Sequence, residues 1–171
     1  KDSGPGDITF GSANALTTTI SASADGVYVL RLTVADSAGN SASQTFNLTW
    51  DTFPATVNVG SNITTNTEFS KTATVNDPAP SSAVASTTWS KVSGTGIITF
   101  SNSDSLTTDI SADLDGTYVL RLTVLDNAGN SSFAEFTLIW DTTQPDVSAG
   151  LDVVTNSQFT QTGTASDITS G

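Results

Sequence analysis

Hydrophobic and polar residues alternate most regularly between Asp115 and Asn130. Tyr118, Leu120, Leu122 and Val124 fall on one face of an extended chain, and Val119, Arg121, Thr123 and Leu125 on the other. Period-two alternation rich in β-branched and aromatic residues predicts a half-buried antiparallel strand. Asp115-Gly116 before it and the run from Asp126 to Asn130 after it carry turn chemistry. From Ser131 to Trp140 the alternation resumes: Ala134, Phe136, Leu138 and Trp140 interleave with Phe133, Glu135, Thr137 and Ile139. A strand, a short Gly-containing turn and a second strand make a β-hairpin.

The same pattern stands 90 residues earlier, from Asp25 to Asn40, and no gap is needed to align it. Over residues 1–81 against 91–171, 40 of 81 positions are identical. A fixed spacing of this kind is the mark of a tandem array. The middle copy, 52–141, is complete and reads as strands at about 55–60, 69–76, 86–93, 96–101, 105–112, 117–125 and 132–140. Seven short strands separated by turns predict a β-sandwich. Its core takes Trp89 from the third strand, with Phe69, Ala73, Val75, Ile98 or Ile97, Phe100, Leu106 and Ile110.

Residues 1–51 correspond to the C-terminal part of such a repeat, and 142–171 to the N-terminal part of the next. Two organisations fit. The chain is a window on a longer array, or it is a self-assembling filament subunit in which 142–171 of one chain completes 1–51 of the next. Positions 82–90, which include Trp89, have no counterpart in either partial copy, and this counts against the second reading.

Composition narrows the function. There is no Cys, His or Met, so disulfides, the usual general base and the usual zinc ligand are all absent. The net charge is −12, from 15 Asp and 2 Glu against five basic residues. Five basic residues leave no positive footprint for nucleic acid. An excess of Asp over Glu fits turns and hard-cation sites better than helical surfaces. No apolar run approaches the ~18 residues of a membrane helix, and no segment at Lys1 reads as an export signal.

The Asp-Gly-x-Tyr entry at Tyr28 and Tyr118, the only tyrosines, resembles the tyrosine corner of immunoglobulin-like sandwiches. The run from Trp89 to Phe100, the stretch Gly116 to Asn130 and the linker Trp140 to Pro145 resemble PKD-like and bacterial immunoglobulin-like tandem repeats of large surface proteins. That resemblance implies all-β tandem immunoglobulin-like (PKD-like), seven-stranded antiparallel β-sandwiches with a period of 90 residues. It also implies a non-catalytic spacer, stalk or adhesin module of a bacterial or archaeal cell-surface or fibre protein. Its partners are neighbouring repeats or other copies of the chain, with the glycan or host-surface ligand open. A carbohydrate-binding accessory module of a secreted enzyme is the alternative from another class.

Calcium is the leading candidate cofactor. At the first junction between copies, Asp25 and Asp51 are expected near Asp77, Asp126 and Asn130. At the second, Asp115 and Asp141 are expected near Asp167, with Asp113 and Asp146 in the vicinity. Carboxylates with amide and backbone oxygens supply the six to eight ligands that Ca²⁺ takes. The competing explanation is that Asp simply opens turns. Lys71 alternates with Phe69, Ala73 and Val75, so it faces inward as a crosslinking amine or snorkels out as an edge residue. No nucleophile and base are paired anywhere. Asn47, Asn62 and Asn130 open acceptor triplets for glycosylation, a weak signal in a chain so rich in Ser and Thr.

Overall fold

The computed structural model describes residues 1–167, and all regular structure among them is β. In chain order the strands are β1 Ile8–Phe10, β2 Ile20–Ala22, β3 Gly26–Ala35, β4 Ser41–Trp50, β5 Thr56–Asn58, β6 Ile63–Thr65 and β7 Phe69–Thr72. They continue as β8 Thr74–Asn76, β9 Val84–Ser93, β10 Ile98–Phe100, β11 Thr107–Ala112, β12 Gly116–Asp126, β13 Ser131–Trp140, β14 Asp146–Ser148 and β15 Thr164–Ser166. The chain forms two compact units. One comprises Lys1–Asn58, Thr74–Thr87 and Thr123–Phe133. The other comprises Val59–Ala73, Thr88–Leu122 and the described residues from Ala134 onward.

The second unit contains an immunoglobulin-like sandwich core. One sheet has the order β10-β11-β7 and the other β6-β13-β12-β9. Trp89 joins them: its ring stacks on Phe100 at 6.4 Å and meets Phe136 edge-on at 6.2 Å. The indole N–H, which has to be satisfied when buried, donates to the Ser105 carbonyl at 2.9 Å. Ile110, Tyr118, Leu120, Leu122 and Leu138 are fully buried around it. This is the inward face that the alternation of β12 and β13 predicts.

Three details differ from the sequence expectation. The strand read at 69–76 is broken at Ala73, whose N–H bonds to the Leu106 carbonyl while β8 turns away to pair with β5. β6 was not anticipated, and it lies parallel to β13 with Leu138 opposite Ile63. Leu106 is exposed rather than part of the core, and of the two candidate isoleucines Ile98 turns inward while Ile97 is exposed. Of the two placements left open for Lys71 the inward one is found, with the side chain buried. Its amine donates to the Ser61 carbonyl at 2.7 Å and lies 4.0 Å from the centre of the Phe136 ring. Burial pushes its pKa down.

The first unit contains β1 paired with β2, the long hairpin β3–β4 and the short pair β5–β8. Tyr28 and Leu30 are its most buried large side chains.

A tyrosine corner recurs in each unit. Tyr118 donates its hydroxyl to the Leu114 carbonyl at 2.6 Å, and Tyr28 donates likewise to Ala24. Both rings lie against a Gly-x-Gly segment. A Cβ on Gly94, whose φ is +116°, would stand 2.2 Å from Tyr118 Cδ1, and one on Gly96 would stand 2.3 Å from the hydroxyl. Gly4 gives Tyr28 the same approach, 2.2 Å to its Cδ1, while a Cβ on Gly6 would stand 2.9 Å from the hydroxyl. A lysine amine closes each corner, Lys91 on the carbonyls of Gly94 and Gly96, and Lys1 on those of Gly4 and Gly6.

Removing only the hydroxyl, as in Tyr118→Phe, should lower unfolding stability by about 1–2 kcal/mol. Gly94→Ala adds a left-handed backbone penalty to the overlap with the ring and should cost more, about 3 kcal/mol. Urea unfolding followed by tryptophan fluorescence ranks the two variants, and equal midpoints would contradict this account of the corner.

Candidate metal centre

The residues from Asp126 to Asn130 form a self-contained turn. The Asp126 carboxylate accepts the Asn130 N–H at 2.8 Å and the Asn130 side-chain amide at 2.9 Å, and the Gly129 N–H returns to the Asp126 carbonyl. The corresponding residues Asp36 to Asn40 make the same bonds, at 2.9 Å and 2.9 Å, although Asp36 is exposed. The turn therefore follows from local sequence: Asp accepts backbone N–H groups, and Gly supplies the positive φ.

Asp126 differs from Asp36 in what surrounds it. It is almost fully buried, and Asp51 and Asp77 each place a carboxylate oxygen close to its own. One such atom from each of the three lies within 4.8 Å of the others. Asp51 comes from the chain just after β4, Asp77 just after β8 and Asp126 from the end of β12, and all three belong to the first unit.

The surrounding loops hold the trio in place. Asp51 accepts the Phe53 N–H at 3.1 Å and the Ser82 N–H at 2.9 Å. Asp77 Oδ2 accepts the Ser81 hydroxyl at 2.7 Å. Asn130 Nδ2 donates to the Asp51 carbonyl at 3.0 Å as well as to Asp126. The Asn127 amide clamps the carbonyls of Ser82 and Ala83, and Ala83 has a φ of +67°, a left-handed conformation unusual for a non-glycine.

Two features fit a cation. Asp77 Oδ1 is buried and has no hydrogen-bond partner. In addition, each of the five basic residues is engaged elsewhere: Lys1 and Lys91 at the tyrosine corners, Lys71 on Ser61, Arg31 with Asp2 and Arg121 with Glu135. Three carboxylates drawn together without a side-chain cation, and with lone pairs left over, make a hard-oxygen donor set of the kind Ca²⁺ takes.

The other predicted residues lie outside the trio. Asp25 accepts the N–H and hydroxyl of Thr52 at 3.1 and 2.9 Å, and Asp115 does the same for Thr142 at 2.9 and 2.8 Å. Both anchor the segment that leaves the preceding hairpin. Asp141 Oδ1 accepts the Thr143 N–H at 3.0 Å, as Asp51 does for Phe53, and Asp167 is exposed. Among the described residues no other trio of carboxylates comes together. Asp141 and Asp167 are the counterparts of Asp51 and Asp77 in the repeat. Sequence reasoning did not foresee the part played by Ser81 and Ser82, because these positions have no counterpart of the same type in the other copies.

Two family descriptions match the chain: "K319L-like, PKD domain" over residues 59–139 and "Bacterial Ig-like domain" over residues 2–52. The two matched stretches are PKD-like and immunoglobulin-like, and neither match spans half of the chain. Among solved structures, one titled "Solution structure of the PKD domain from KIAA 1837 protein" is similar at 19% identity and a TM-score of 0.38. It covers 54% of this chain and 90% of its own. No curated protein matches. PKD-like and immunoglobulin-like domains are typically non-catalytic structural or adhesive modules, and they are commonly extracellular. No helix among the described residues is long and apolar enough to cross a membrane.

Burial alone pushes the Asp126 carboxyl up, but the Asn130 side chain and the N–H groups of Asn130, Ala128 and Gly129 outweigh it and hold the group below its ordinary 3.8. A carboxyl depressed in the folded state contributes stability that is complete above its unfolded value and is lost as pH falls through its folded value. In calcium-free buffer, stability should therefore fall below about pH 4, and Asp126→Asn should flatten that acid limb. Urea midpoints across the acid range, wild type against variant, check this.

Proposed function

We propose that the chain is a structural module of an extracellular surface or fibre protein, a stalk or spacer built from successive sandwich repeats. In this reading 52–141 is one repeat, and 1–51 and 142–171 are parts of its neighbours. Ca²⁺ held by Asp51, Asp77 and Asp126 stiffens the passage from one repeat to the next. The observation that carries the proposal is the origin of the three carboxylates. Asp51 ends one copy of the repeat, and Asp77 and Asp126 sit on two loops of the following copy. A cation bridging them ties the linker from Trp50 to Ala55 to those loops and removes their mutual repulsion.

Mechanical work is consistent with the rest of the chain. The surface is acidic and rich in Thr and Ser, which keeps like modules soluble and apart. The Asp-to-Thr bonds at Asp25–Thr52 and Asp115–Thr142 fix the exit of each hairpin in the same way. The Asn130 and Asn62 side chains of the glycosylation triplets are already used: Asn130 holds Asp126, and Asn62 accepts the Thr137 N–H at 2.9 Å.

The test is thermal unfolding of the 171-residue chain in EDTA and across a calcium series, for wild type and Asp77→Asn. Wild type should gain stability as RT ln(1 + [Ca²⁺]/Kd), about 2.7 kcal/mol at a hundredfold excess over Kd. Asp77→Asn should be at least as stable as wild type in EDTA, because it removes a like charge, and should lose most of the calcium response. A wild-type midpoint indifferent to calcium, or a variant that still responds fully, would rule out the cation.

A further inference from the structure

The three carboxylates are not held in the same way. Main-chain N–H groups of Phe53 and Ser82 point at Asp51, and Asp126 closes its own turn on Asn130. For Asp77, Pro78 and Pro80 remove two of the next three main-chain donors, the groups an Asp beside a turn ordinarily takes. A side chain serves instead. The Ser81 hydroxyl donates to Asp77 Oδ2 at 2.7 Å, while Oδ1 stays buried with no partner. The Ser81 oxygen also accepts the Ala83 N–H at 3.0 Å, so one of its lone pairs is taken and its proton is left for Asp77.

The segment that carries Ser81 is bonded to the stretches that bring the other two carboxylates. Ser82 uses all its polar groups for this. Its N–H donates to Asp51 Oδ2 at 2.9 Å, its carbonyl accepts the Asn127 amide at 2.9 Å, and its hydroxyl oxygen accepts the Ala128 N–H at 3.2 Å. The Asn127 N–H and side-chain amide both reach the Ala83 carbonyl, at 2.9 and 3.1 Å. The turn at Asp36 closes with Ser37 in the place of Asn127, so the Asn127 side chain is not needed to form the turn. What it does is fasten residues 82 and 83. Ala83 is held at a φ of +67°, and sparsely populated backbone conformations of this kind concentrate at functional sites.

We infer that Ser81 is the positioning residue of the carboxylate trio and, through Asp77, sets how tightly the trio holds a divalent cation. The inference rests on the calcium reading above. By fixing Oδ2 the hydroxyl also fixes where Oδ1 lies. The fastened 81–83 segment keeps that hydroxyl in place, so the donors are ordered before an ion arrives and less of the binding energy goes into ordering them. Hydrogen-bonded neighbours of metal ligands commonly change metal affinity 10–100-fold.

Calorimetric titration of the 171-residue chain with calcium chloride tests this on wild type, Ser81→Ala and Ser81→Thr. Ser81 is exposed, so both variants should fold, and unfolding midpoints in EDTA verify that they do. Ser81→Ala should bind calcium about 10–100-fold more weakly, and Ser81→Thr, which keeps the hydroxyl, should bind as wild type does. In EDTA the carboxyl carbon resonance of Asp77 should shift in Ser81→Ala and return in Ser81→Thr, with those of Asp51 and Asp126 unmoved. A merely structural role would lower the midpoint of Ser81→Ala in EDTA and leave its calcium affinity at the wild-type value. That result would overturn the inference and leave the calcium reading standing, as would a Ser81→Thr that binds no better than Ser81→Ala. A wild type that binds no calcium would overturn both.

Discussion

The close approach of the Tyr118 ring to the backbone of Gly94 and Gly96 is the constraint around which the sandwich is arranged. The hydroxyl has to find a partner once the ring is buried, and the Leu114 carbonyl supplies it. That bond fixes where β12 starts, and hence which face of the strand carries Leu120, Leu122 and Val124 into the core. The start is sharply defined because a slip of one residue would turn all three outward. Tyr28 repeats the arrangement with its own glycine pair and its own lysine, down to the overlap a Cβ on Gly4 would cause.

The two copies of the Asp-to-Asn turn separate what is local from what is assembled. Both carboxylates take the same bonds from the same residue types, so those bonds carry no information about a ligand. What distinguishes Asp126 is company: two further carboxylates from distant parts of the chain and a buried oxygen on Asp77 without a partner. Every basic side chain is committed elsewhere, and these three carboxylates form a cluster that could hold a metal ion.

The same comparison of copies applies to the edges. A strand three residues long where its twin has six is explained by a partner strand present in one case and missing in the other. Apolar side chains along β3 and β4 are exposed for the same reason. Neither feature reflects a weaker sequence, since Leu30, Arg31, Leu32, Thr33 and Val34 are identical to their counterparts. Burial at these positions is a property of what lies opposite.

Sequence alone determined the fold class, the 90-residue self-similarity and the inward face of the β12–β13 hairpin, because these rest on period-two alternation and turn residues that act over a few positions. It placed Trp89 in the core and marked both tyrosines as corner residues, but left Lys71 open between facing inward and snorkelling outward. It also named Asp51, Asp77 and Asp126, with Asn130, among eight candidates but could not separate those three from Asp25, Asp115, Asp141 and Asp167, since all seven are Asp beside a turn. Only the tertiary structure decided which of them meet. Their proximity depends on where three loops far apart in sequence come to rest, and on a left-handed Ala83 that no propensity predicts. The parallel seat of β6, the exposure of Leu106 and the lost length of β2 are of the same kind. Each is set by a neighbour across the sheet, and a strand's own residues do not encode which neighbour is present.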